Sequence, residues 1–149
     1  MTETAQTKPG APWHLWVVGV VGLLWNGYGC YDYYMTVTGG EEYLRSYGMT
    51  DEMIAYYVAM PAWMTAVWAI GVWGALLGTI LLLARIKWAM HVFIVSCAAF
   101  VFSLIYTYAL SADAPAMPPE APIMHAVVFA GCVFFIWYAW FATKRGILR

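Results

Sequence analysis

The chain has 149 residues, of which 64% are apolar and only 10% are charged, and its net charge is −1. This balance is far from that of a soluble globular protein and predicts an integral membrane protein in contact with membrane lipids. The sequence contains no basic patch, so we expect no nucleic-acid partner.

Four long apolar runs predict the architecture. Each is close to the roughly 20 residues that a helix needs to cross about 30 Å of hydrocarbon. Short alternating segments typical of a barrel are not seen. We therefore expect an all-α fold, a four-helix transmembrane bundle that forms a single domain over residues 1–149, with spans at about 13–35, 62–84, 88–110 and 123–142.

The basic residues predict the orientation of the chain. Only Arg45 falls on the side opposite to the other lysines and arginines, which are Lys8, Arg85, Lys87, Lys144, Arg145 and Arg149. By the positive-inside rule, both termini are expected to be cytoplasmic, as a tail at 1–12 and a basic tail at 143–149, in a bacterial inner membrane. The first residues lack the short apolar core of a cleaved signal peptide.

Two segments on the outer side have different expected structures. Residues 36–61 should form a short, partly helical periplasmic cap between the first and second spans. There Gly39 and Gly40 break the helix, a short helix follows at 41–47, and Thr50 caps another. The second segment, residues 111–122, contains four prolines and is expected to be an extended loop.

Glycines recur at helical spacing in the first two spans. Small residues on one face allow two membrane helices to approach closely. We therefore predict that these two spans pack against each other through the glycines of each, namely Gly19, Gly22 and Gly29 in the first span and Gly71, Gly74 and Gly78 in the second.

The stretch WNGYGCYDYY, which begins at Trp25, contains the candidate polar site. Polar groups at membrane depth are expensive and often functional. If the site binds a solute, Asp32 is the binding carboxylate, Asn26 its hydrogen-bonding neighbour, and Trp25 and Tyr33 the stacking walls, with His125 opposite. If the role is structural, Asn26 makes an interhelical hydrogen bond and Asp32 reaches water at the outer boundary.

No catalytic constellation is recognisable in the sequence, so we expect a protein that is not an enzyme and that has no resident cofactor or metal. Two lesser alternatives remain open. His14 and His91 have matching predicted depths, as haem ligands would need. Methionines concentrate on the outer side, and thioethers suit Cu(I), although they also fill packing gaps.

The runs LLWNGYGCYDYYMT, AIGVWGALLGTILLLAR and WYAWFATKRGILR give the chain a resemblance to a family of small four-span bacterial inner-membrane proteins. That family is of uncharacterised function and is sometimes labelled as sugar transporters. The physical features favour an accessory or assembly subunit that packs against a larger membrane complex. The alternative, which the resemblance supports, is a homodimeric transporter of a sugar-like or amine-like solute.

Overall fold

The computed structural model describes residues 10–149, so most of the predicted tail at 1–12 lies outside the described residues. The described part is all-helical, which confirms the all-α part of the predicted fold class. Its five α-helices are α1 (Trp13–Ser46), α2 (Asp51–Val58), α3 (Ala62–Leu83), α4 (Ala89–Ile105, continued by a π-helical turn, Tyr106–Leu110) and α5 (Glu120–Lys144).

Within residues 10–149, three helical stretches are long and apolar enough to cross a membrane, and these are α3, Ala89–Leu110 and α5. The sequence predicted four such stretches, and the first of them, in α1, is not among the three. The 34-residue α1 has the length. It contains Asn26, Asp32 and many tryptophans and tyrosines, which are less hydrophobic than the aliphatic residues of the other helices.

The chain turns sharply at Gly40, inside α1. Gly40 has φ 54° and ψ −136°, a conformation that only glycine adopts readily. The helix therefore runs past the predicted end at residue 35 and then folds back over residues 41–46. Next comes α2, where the Thr50 side chain accepts a 3.3 Å hydrogen bond from the Met53 amide. The predicted cap is thus partly helical, with Thr50 as its N-cap.

The long helices pack in the order α1, α3, α4, α5. The glycine face of α1 contacts α3, as predicted, because a Cβ on Gly19 would strike Leu83. The glycines of α3, however, face α4: Gly74 lies against Ser96 and Gly78 against the ring of Phe93. The prediction that the glycines of α3 pack against those of α1 is therefore wrong.

The core lies at the carboxyl-terminal end of the bundle, where α1 and α4 begin and α3 and α5 end. It includes Leu15, Leu82, Phe93 and Phe135, together with residues that follow α5. After Gly146, at φ 68°, the chain turns back so that Ile147 and Leu148 are buried in this core. The opposite end of the bundle carries α2 and is called the α2 end below.

Candidate functional site

Asn26 is buried between two helices, with 8% of its surface exposed. Its side-chain amide donates a 2.9 Å hydrogen bond to the hydroxyl of Thr79 on α3. The Thr79 hydroxyl in turn donates to the Ala75 carbonyl at 2.9 Å. The pair therefore joins α1 to α3, as expected if Asn26 has a structural role.

We expect Thr79→Val to lower the free energy of unfolding by about 1 kcal/mol, because the buried amide of Asn26 loses its acceptor. The double variant Thr79→Val/Asn26→Leu should have nearly the same free energy of unfolding as Thr79→Val alone. The coupling energy between the two positions would then be about 0.5–1.5 kcal/mol. The measurement is unfolding in mixed detergent micelles. Thr143→Val is the control, since the Thr143 hydroxyl donates to the Ala139 carbonyl of its own helix. Additive effects of the two substitutions would contradict the pairing.

Asp32 belongs to a different cluster, at the α2 end. It accepts a 2.9 Å hydrogen bond from the hydroxyl of Tyr43. Eleven residues separate the two in sequence, which would place them about 16 Å apart along a straight helix. The turn at Gly40 brings them together. Desolvation, and then hydrogen bonds to Tyr47 and Asp32, raise the pKa of Tyr43, so its phenol stays protonated and donates to the carboxylate.

Two exposed tyrosines extend this cluster. The hydroxyls of Tyr28 and Tyr47 lie 3.1 Å apart, and the rings of Tyr43 and Tyr47 have centroids 5.0 Å apart. One carboxylate and three phenols therefore form a polar, aromatic patch between the two segments of α1, which we call the tyrosine patch (Tyr28, Asp32, Tyr43 and Tyr47).

The remaining candidates have other partners. The Tyr33 hydroxyl donates to the Thr65 carbonyl of α3 at 3.5 Å, and its ring meets that of Trp68 edge to face at 4.9 Å. Trp25 is 45% exposed. The Nδ1 atom of His125 lies 2.9 Å from the hydroxyl of Tyr108, at the far side of the α2 end. None of these contacts joins two of the five predicted site residues to each other.

The two histidines considered for haem have different neighbours. The Nδ1 of His14 is 2.6 Å from the Tyr138 hydroxyl, between α1 and α5. His91 contacts the Trp88 ring and lines a groove between α3 and α4. Among residues 10–149, no group of three or more His, Cys, Asp or Glu side chains is arranged to hold a metal ion.

Sequence reasoning missed two participants, Tyr43 and Thr79. Tyr43 lies in the short helix expected after the Gly-Gly break. It could have been found from the sequence only by assuming that the chain folds back at that break. Thr79 follows directly on Gly78, in the small-residue region of α3.

Comparisons with protein-family models, with curated proteins and with solved structures find no match to this chain. The function therefore has to be argued from the contacts themselves.

Proposed function

We propose that this chain is a non-enzymatic, four-span protein of the bacterial inner membrane, with α1 as the fourth span, both termini cytoplasmic and the α2 end periplasmic. Its role is that of an accessory or assembly subunit packed against a larger membrane complex. The observation that carries the proposal is the exposed face of α1. Large side chains project from one arc of this helix, opposite the glycine face: Trp16, Val20, Leu24, Tyr28 and Tyr31 are 50–71% exposed.

This face suits a protein neighbour better than lipid. Tryptophan and tyrosine are enriched at protein interfaces, where they supply rigid contact area and a polar handle. Since α1 is less hydrophobic than α3 and α5, its exposed face gains less free energy from contact with hydrocarbon than theirs do. The internal pairing of Asn26 with Thr79 supports the same conclusion, since it gives that polar group a packing role.

The alternative is a homodimeric transporter, and the tyrosine patch favours it. A carboxylate among phenol rings can bind an amine through charge and cation–π contact, and can bind a sugar through stacking and hydrogen bonds. The Asp32 oxygen already accepts from Tyr43. That bond leaves the other carboxylate oxygen free to accept. Tyr28 and Tyr47 are more than half exposed, however, so the patch encloses a solute poorly, which makes this the second choice.

Site-specific photo-cross-linking in the native membrane tests the accessory role. A photoreactive side chain in place of Leu24, which is 71% exposed, should give one protein adduct of defined mass. The same group in place of Val133 on α5, 48% exposed, should give none. The adduct's partner should also co-purify with the unmodified chain in fixed stoichiometry.

The alternative outcomes are distinct. Adducts only between two copies of this chain, with a colourless homodimer after purification, would support the transporter. Protein adducts from neither position, together with a monodisperse monomer, would reject the accessory role.

A further inference from the structure

An open groove of about 370 Å³ runs between α3 and α4. Its lining is apolar except for one imidazole, and includes Trp73 and Leu77 of α3 and His91 and Val95 of α4. Trp73 lies ten residues before the end of α3, or about 15 Å along the helix. Trp73 therefore lies near the middle of the roughly 30 Å of hydrocarbon that α3 would cross.

Positive charge is concentrated at the carboxyl-terminal end, beside this groove. Within residues 10–149, all acidic side chains lie at or toward the α2 end, whereas Arg85, Lys87, Lys144, Arg145 and Arg149 lie at the carboxyl-terminal end. Lys87 lies in the turn that precedes α4, four residues before His91, which lines the groove. Lys87 is exposed and is the basic residue nearest in sequence to the residues that line the groove.

Backbone hydrogen bonds fix the turn that contains Lys87. Its amide donates a 2.9 Å hydrogen bond to the Arg149 carbonyl, and the Arg149 amide donates to the Arg85 carbonyl at 2.8 Å. The α3–α4 turn is thus tied to the segment after α5. Trp88, 60% exposed, follows directly and contacts the His91 ring, a placement typical of residues at the headgroup level.

We propose that this groove binds an anionic phospholipid, with an acyl chain along Trp73, Leu77 and Val95 and the headgroup phosphate at Lys87. Three observations support this proposal: an apolar groove between α3 and α4, an exposed lysine in the turn that precedes α4, and an end of the bundle without acidic side chains among the described residues. Basic sites between membrane helices on the cytoplasmic side are suited to anionic headgroups. Charge complementarity selects this occupant over a zwitterionic lipid.

The test uses the full chain in detergent, titrated with phosphatidylglycerol, phosphatidylcholine or inorganic phosphate, with the melting temperature and lipid retention in native mass spectrometry as readouts. Phosphatidylglycerol alone should stabilise the protein and be retained. Lys87→Gln should weaken its apparent affinity about fivefold. Lys144→Gln removes the same charge at the same end, but on α5, and should change the affinity less than twofold.

The apolar part of the site has its own variants. Val95→Phe should obstruct the groove and reduce lipid retention, whereas Val133→Phe on α5 should not. The proposal would be overturned if phosphatidylcholine or inorganic phosphate had the same effect as phosphatidylglycerol. It would also be overturned if Lys87→Gln and Lys144→Gln had the same effect. A protein adduct from a photoreactive group at Val95 would assign the groove to a partner helix and would also overturn it.

Discussion

Replacing Gly22 with alanine should lower the free energy of unfolding by about 1–3 kcal/mol, the range typical of overpacked cores. A Cβ at this position would lie 2.9 Å from the ring of Phe135 and 2.9 Å from the methyl group of Thr79. Neither neighbour can move away easily. Phe135 stacks on Phe93 with ring centroids 5.3 Å apart, and Thr79 is fully buried and held by Asn26 and Ala75.

Gly27→Ala is the matched control for this prediction. It lies on the same helix, and a Cβ there meets nothing within 4 Å. The substitution should leave stability unchanged or raise it by up to about 1 kcal/mol, because alanine loses less backbone entropy than glycine. Unfolding of both variants in mixed micelles gives the comparison. Similar losses at both positions would show that α1 does not pack through the Gly22 face.

Much of the bundle could be predicted because its signals are local. Apolar length placed α3, α4 and α5 within about three residues of their observed ends, apart from the π-helical turn that closes α4. Thr50 followed by Asp51 and Glu52 indicated the start of α2 for a physical reason, since such residues satisfy the free amides of a first turn.

The partners of the small residues could not be predicted. A row of glycines shows that a helix can approach closely, but it does not show which helix does so. For Gly74 and Gly78 the neighbour is α4, because Ser96 and Phe93 fill the space beside them. The serine hydroxyl even donates to the Gly71 carbonyl. Geometry of this kind depends on the tilt and rotation of whole helices, which no local pattern contains.

The environment of Asp32 was hidden for a different reason. A Gly-Gly pair predicts a break, but the direction taken by the chain depends on the dihedral angles of one residue, Gly40. With another angle, Tyr43 would point away from the bundle and Asp32 would face water. The sequence therefore shows which residues of α1 are polar but could not assign their partners.

The segment after α5 should contribute more to stability than any single glycine contact. Ending the chain after Gly146 removes the buried Ile147 and Leu148, which are 7% and 4% exposed. It also removes the hydrogen bonds that join Arg149 to the α3–α4 turn and the 2.9 Å bond from the Arg85 Nε to the Ile147 carbonyl. We expect the free energy of unfolding to fall by about 3–5 kcal/mol.

A single substitution separates packing from these hydrogen bonds. Leu148→Ala keeps the backbone and should cost about 2–3 kcal/mol, the lower part of the range for a buried leucine. Leu110→Ala is the control, since Leu110 is 62% exposed, and should cost no more than about 0.5 kcal/mol. Thermal unfolding in detergent measures all three variants. If Leu148→Ala matched Leu110→Ala while the truncation remained costly, the effect would come from Ile147 and the hydrogen bonds to the α3–α4 turn, and packing of Leu148 would not contribute. If the truncated chain were as stable as the full one, the hydrogen bonds of this segment would not be what fixes the α3–α4 turn, because a contact that fixes the turn should also stabilise the folded bundle.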